Sequence, residues 1–193
     1  MRKLPFLFAA TLAGLGLAVP GLAQAQDLTT ASQRLELAAV APVACVISTP
    51  SVTNQSNASY ASTGSASGQV SITELVDGDD ATSRASSIEL NLPVVCNASH
   101  RVRISSANGG LLRAGGSAAG RSGGFQEFLA YQVGIDWAGQ SAQLQTTSRD
   151  TSIDANQPGK GEMVIRIATP AGGGPLIAGQ YSDSIVVEVQ PAS

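Results

Sequence analysis

Apolar and polar residues alternate along several stretches of the chain, with the two-residue period of a β-strand that buries one face. Five such stretches predict five strands. Their apolar rows are Ile88, Leu90, Leu92, Val94 and Cys96; Val102 and Ile104; Leu129, Tyr131, Val133, Ile135 and Trp137; Met163, Ile165 and Ile167; and Ile185, Val187 and Val189. The last row lies in "YSDSIVVEVQPAS", and no further strand is predicted after it.

The segments between these rows have the composition of turns and loops. Residues 106–124, 145–161 and 169–179 are rich in Gly, Ser, Thr and Pro and show no helical period. Residues 53–87 are less regular: Val70 and Ile72 indicate a hairpin arm, whereas "NQSNASYASTGSASG" is typical of a loop. Short strands with such connections predict an all-β protein built as a β-sandwich.

The first 25 residues have the features of a secretory signal peptide. Arg2 and Lys3 precede the apolar run "LPFLFAATLAGLGLAV", and Ala23-Gln24-Ala25 is a typical cleavage site. The run is short for a membrane span, which needs roughly 20 apolar residues. We therefore expect residues 1–25 to be removed and the mature chain to be exported, without a membrane span.

Composition and charge narrow the choice of partners. Removal of Arg2 and Lys3 leaves nine basic and fourteen acidic residues, a net charge of −5, which argues against nucleic acid or anionic lipid as a partner. Aromatic residues make up 4% and charged residues 13% of the chain. This composition favours a β-rich surface protein over an enzyme with a deep pocket.

The two cysteines are expected to form a disulfide. Cys45 follows Leu35, Leu37, Ala39 and Ala41 at the same parity, and Cys96 ends an apolar row of its own. Both thiols should therefore point inward, and export favours their oxidation. Two buried free thiols are the alternative. Closing a loop of about 50 residues would stabilise the fold by roughly 4 kcal/mol.

No group of residues has the pattern of a catalytic or metal site. The single histidine, His100, has no recognisable partners for a triad or a zinc site and is expected at the surface. Gly115–Ser122 resembles a phosphate-binding loop in spacing only, and Asp77–Asp80 lacks the spaced ligands of a calcium loop. Trp137 lies on an apolar row and is expected in the core. We predict a protein that is not an enzyme and needs no cofactor.

Several short motifs together carry a family resemblance. They are the signal peptide, the inward cysteine pair, "CNAS", "AYQVGIDW" and the ending "AGQYSDSIVVEVQ". The chain resembles the spore coat protein U domain family, which includes subunits of archaic chaperone-usher pili. The most specific match is the A-G-x-Y-[ST]-D-[ST] ending, formed here by Ala178, Gly179, Tyr181, Ser182, Asp183 and Ser184. The Phe-Gly pair common after the family's first cysteine is missing.

The resemblance implies an immunoglobulin-like β-sandwich that lacks its last strand. Residues 26–42 would be an N-terminal donor-strand extension, and residues 43–193 would form the pilin-type domain. The inserting row of the donor strand would be Leu35, Leu37, Ala39 and Ala41. The acceptor groove would be lined in part by Ile185, Val187 and Val189.

The implied function is that of a structural pilus subunit, exported through the periplasm to the cell surface and supporting adhesion or biofilm formation. Its implied partners are a periplasmic pilus chaperone, an outer-membrane usher and neighbouring subunits. Two alternatives stay open: a self-contained exported binding module, in which the N-terminal segment folds back beside its own last strand, and an outer-coat protein of the same fold.

Overall fold

The structure is a computed structural model that describes residues 33–65 and 67–192. The predicted signal peptide and the first residues of the predicted donor extension lie outside these ranges. The described residues belong to two units, one that ends at Val40 and one that begins at Ala41. Residues 33–40 are exposed and have no regular secondary structure.

Within residues 41–65 and 67–192, the regular secondary structure of the second unit is β-strands and one 3₁₀ turn, Thr146–Ser148. No helix in the described ranges is long and apolar enough to cross a membrane. The sixteen strands are β1 (Cys45–Ile47), β2 (Ser51–Ser56), β3 (Ala58–Gly64), β4 (Ser67–Ile72), β5 (Ser86–Cys96), β6 (His100–Ser106), β7 (Leu111–Arg113), β8 (Arg121–Ser122), β9 (Phe125–Gln126), β10 (Phe128–Leu129), β11 (Gln132–Trp137), β12 (Gln140–Gln145), β13 (Asp150–Ala155), β14 (Gly159–Thr169), β15 (Tyr181–Ser182) and β16 (Ile185–Pro191).

The largest sheet has the strand order β1-β5-β14-β11-β12, and β2 pairs with β5 on the same side as β1. The strands β5 and β14 run alongside each other over eleven residue pairs. Leu90, Ile165 and Ile135 are direct neighbours across three of these antiparallel strands, and all three are buried. The inward rows of β5, β11 and β14 thus form one continuous apolar face.

A second antiparallel sheet, of order β13-β6-β16, contributes to the same core. Val102 and Ile104 of β6 are fully buried, and Ile153 of β13 is 3% exposed. They form one cluster with the apolar face of the largest sheet, against which the inward residues of β16 also pack. The prediction of an all-β protein is confirmed, and the arrangement is consistent with a β-sandwich.

The predicted disulfide is present. Cys45 and Cys96 are joined, and they are direct cross-strand partners in the pairing of β1 with β5. Cys96 is buried and Cys45 is half-buried. The shared inward parity of the two cysteines therefore predicted their pairing correctly.

The prediction of a loop over "NQSNASYASTGSASG" was wrong. Within it, β3 pairs with β4 as a hairpin, and Asn54 to Ser56 belong to β2. Ala58 and Tyr60 are the inward residues of β3, and small polar residues surround them. An inward row of one alanine and one tyrosine is too weak a periodic signal to be recognised in the sequence.

The sequence analysis predicted His100 at the surface, and this prediction was wrong. His100 is buried and only 1% exposed. The indole Nε1 of Trp137 donates a hydrogen bond of 2.7 Å to His100 Nε2. Because Nε2 accepts, the neutral ring carries its proton on Nδ1, which lies 2.9 Å from the carbonyl oxygen of Ala98. The expected core position of Trp137 is confirmed, and His100 satisfies its indole N–H.

Candidate functional site: an apolar groove beside an unpaired strand edge

An apolar groove of about 390 Å³ opens between the two sheets. Ile88, Leu90 and Ile165 line it from the largest sheet, and Ile185 and Val187 line it from β16. Ile88, Leu90 and Ile165 are already buried, whereas Ile185 and Val187 are half-buried. The wall that β16 forms is therefore the more open side of the groove.

One edge of β16 borders this groove and has no strand partner among residues 33–65 and 67–192. The other edge pairs with β6. At the two ends of that pairing, the N–H of Ala107 donates to the carbonyl of Ser184, and the N–H of Ala192 donates to the carbonyl of Ser99. Backbone groups in an antiparallel pair are used by alternate residues, so the even-numbered residues of β16 bond to β6.

The odd-numbered residues of β16 consequently direct their N–H and C=O groups to the unpaired edge. In β16 these are Ile185, Val187 and Val189, whose side chains pack against the core, and Pro191, which has a C=O but no N–H. Val186, which lies between Ile185 and Val187, is 46% exposed. Val189 packs against the core without lining the groove. The same residues thus provide an apolar wall and a row of available backbone donors and acceptors.

The residues predicted for the donor strand are exposed in the first unit and at the start of the second. Leu35 is 82% and Leu37 is 97% exposed, and Ala39 and Ala41 are also exposed. Exposed leucines are costly to keep in water, since burying each one is worth about 1.5–3 kcal/mol. The row is therefore available for burial against an apolar surface.

A partly buried hydrogen-bond cluster lies where β16 begins. One carboxylate oxygen of Asp183 accepts from the Tyr131 hydroxyl at 2.8 Å and from Ser106 Oγ at 2.5 Å. The other accepts from the backbone N–H groups of Asn108 and Ser184, both at 2.8 Å. Tyr131 and Asp183 both line the groove. The cluster fixes the position of the first residues of β16.

Tyr131 gives this cluster a pH dependence. Burial and the hydrogen bond to Asp183 raise the pKa of Tyr131 above its usual value near 10. The folded protein therefore keeps this proton at pH values where the unfolded chain loses it. This contribution to stability is fully present below about pH 10 and is lost as the pH rises further, by about 1.4 kcal/mol per pH unit.

We expect Tyr131→Phe to remove this alkaline loss. Urea unfolding at intervals from pH 8 to pH 11 measures it, because the stability of the original protein should fall more steeply above pH 10 than that of the variant. Below pH 9 the two curves should run parallel, which serves as the internal control. Parallel curves over the whole range would show that the hydroxyl does not titrate as described.

The hairpin of β3 and β4 forms another wall of the groove. Tyr60 and Val70 line it, and the Tyr60 ring lies over Gly68, where a Cβ atom would come within 2.2 Å of the ring. The Tyr60 hydroxyl is buried and has no hydrogen-bond partner among the described residues. Gly68 thus makes room for an aromatic ring that narrows the groove.

The aspartates considered for metal binding form hydrogen bonds within their own turn. Asp77 and Asp80 accept hydrogen bonds from the backbone of their own turn, at Asp79 and Thr82. The described ranges contain no group of three or more His, Cys, Asp or Glu side chains placed to hold a metal ion.

Sequence reasoning missed the roles of Tyr131 and Asp183 at the groove. Asp183 belongs to the "YSDS" motif, but the motif does not say what the carboxylate binds. Tyr131 lies 52 positions earlier, and only the folded sheet brings its hydroxyl to Asp183.

Comparison of the chain with models of protein families, with curated proteins and with solved structures gave no match.

Proposed function

We propose that this chain is a structural, non-enzymatic subunit of a surface pilus, assembled by the chaperone-usher pathway through donor-strand complementation. The observation that carries the proposal is the apolar groove that runs beside the unpaired edge of β16. An added strand would meet both requirements of that site, because its backbone would pair with the edge and its alternate side chains would fill the groove.

The proposed fold is an incomplete immunoglobulin-like sandwich whose missing strand comes from another chain. The donor is the extension of residues 26–42, which inserts Leu35, Leu37, Ala39 and Ala41 into the domain of residues 43–193. A tail of one copy that docks into the body of the next is a heterologous contact, which does not close and so builds a filament.

The proposed partners follow from the same site. An uncovered apolar edge is a template for aggregation, so a periplasmic chaperone would cover the groove before assembly. An outer-membrane usher would then exchange the chaperone for the neighbouring subunit's extension. The disulfide between Cys45 and Cys96 is compatible with export to an oxidising compartment, from which the pilus would reach the cell surface.

Removal of the extension tests the proposal. We expect a chain without residues 26–41 to lose the ability to polymerise. The same chain should still bind an added peptide of residues 27–41, because its groove is intact. Light scattering measures the polymerisation, and a titration with the labelled peptide measures the binding. The full mature chain is the control, and it should form filaments. Filaments from the truncated chain, or no binding of the peptide, would contradict the proposal.

A further inference from the structure

The position of the groove along β16 restricts how a strand can be inserted. Ile185 and Val187 line the groove, whereas Val189 does not. Leu35 and Leu37 are the two large side chains of the tail's inserting row, so they must lie beside Ile185 and Val187 to be buried. Two arrangements satisfy this condition, one with the tail antiparallel to β16 and one with it parallel.

The outward residues distinguish the two arrangements. Glu188 lies on the outward row of β16, and its cross-strand neighbour on β6 is Arg103. Arg103 forms an ion pair with Asp150 and interacts more weakly with Glu188. In the antiparallel arrangement, Arg34 of the tail lies opposite Glu188. In the parallel arrangement Ala38 takes that place. Opposite charges directly across two strands stabilise the pair.

A shift of the antiparallel tail by two residues toward the end of β16 is disfavoured by the shape of the groove and by the charges. It would place Leu35 beside Val189, where the groove has no volume to fill. It would also place Glu36 opposite Glu188, and like charges directly opposite are destabilising. For an antiparallel tail, the shape of the groove and the charges therefore favour the same register over this shifted one.

We propose that the tail of a second copy of this chain enters antiparallel to β16, in the register that places Arg34 opposite Glu188. Leu35 then lies beside Val187, and Leu37 lies beside Ile185. This inference rests on the proposed function and adds the direction, the register and a charge pair that sets them. The backbone N–H and C=O groups of Glu188 bond to β6, so Glu188 and Arg34 would form a non-hydrogen-bonded cross-strand pair. The Cα atoms of such a pair are about 4.5 Å apart.

Disulfide trapping between full mature chains tests the register. One chain carries Glu188→Cys, and it is mixed with a second chain that carries Arg34→Cys, Glu36→Cys or Ala38→Cys. After mild oxidation, non-reducing electrophoresis measures the cross-linked dimer, and mass spectrometry locates the bond and excludes exchange with the native disulfide. We expect the Arg34→Cys mixture to give the highest yield.

The other results overturn the proposal in distinguishable ways. The highest yield with Ala38→Cys would show a parallel tail, and the highest yield with Glu36→Cys would show the shifted register. In both cases strand addition itself would stand. No cross-link in any mixture, together with an internal disulfide in one chain carrying Arg34→Cys and Glu188→Cys, would show that the tail fills its own groove.

Charge reversal tests the pair without engineered thiols. We expect Arg34→Glu in the peptide of residues 27–41 to weaken its binding to the full chain about two- to fivefold, as suits one cross-strand charge pair. Binding competes with the chain's own tails, so the comparison is made at one fixed chain concentration. Glu188→Arg in the chain should restore the binding of the Arg34→Glu peptide. A reversal without effect, or without restoration, would exclude the pair.

Discussion

Replacing Cys45 and Cys96 by alanine is expected to lower the free energy of unfolding by roughly 4 kcal/mol. The disulfide closes a loop with a sequence separation of 51 residues, and its loss restores that loop's freedom to the unfolded chain. The bond also joins β1 to β5, and β1 is only three residues long. Chemical unfolding of the double variant and of the original protein measures the difference.

The reduced original protein is the matched control for this double variant. It keeps both sulfur atoms in place and loses only the covalent link, whereas the alanines also remove packing around Cys96, which is 1% exposed. The reduced protein should therefore lie between the oxidised protein and the variant. A loss below about 1 kcal/mol in both would mean that the link constrains the unfolded chain far less than its length indicates.

The second large effect is expected in assembly. In the chain, Leu35→Asp and Leu37→Asp together should abolish filament formation. In the peptide of residues 27–41, the same two substitutions should weaken its binding to the unchanged chain at least about 100-fold. Burying two leucines is worth about 3–6 kcal/mol, and each 1.4 kcal/mol changes an affinity tenfold. The free energy of unfolding of the chain should stay unchanged, because both side chains are more than 80% exposed.

Val40→Asp is the matched control for this substitution. Val40 is 94% exposed in the same segment, but it lies on the opposite row and would face away from the groove. Assembly of this variant should remain close to that of the original chain. Equal loss of assembly in Val40→Asp would show that the segment acts through general hydrophobicity, and not through an alternating row of inserted side chains.

The sequence predicted the strands whose inward rows are long and apolar. Leu90, Ile135 and Ile165 belong to rows of three or more large side chains, and all three form the centre of the largest sheet. The cysteine pair was equally accessible, because each thiol shares a parity with an apolar row. These features depend on local periodicity, which a single sequence displays directly.

Strands with weak inward rows escaped prediction. Only Leu144 on β12 and Ile153 on β13 are large inward residues, so no alternation is visible there. The same holds for the hairpin that contains Tyr60, where Ser and Ala fill the other positions. Such strands are specified by the partners they pair with, and those partners lie elsewhere in the chain.

The remaining misses concern contacts between distant residues. His100 has polar neighbours in sequence, but in the fold its Nε2 accepts a hydrogen bond from the indole N–H of Trp137, which lies 37 positions away. The contact of Tyr131 with Asp183 is of the same kind. A row such as Ile185, Val187 and Val189 indicates a strand, but only the sheet order shows that one of its edges is unpaired.

The alternation of backbone groups along β16 makes its open edge selective for conformation. Successive odd-numbered residues are two positions apart, which in a strand is a spacing of about 7 Å. A helical segment rises only about 1.5 Å per residue and uses its N–H and C=O groups internally, so it presents nothing at that spacing. The edge therefore admits extended chains only, and any helix-promoting change in a partner segment would act as an inhibitor of docking without touching the groove.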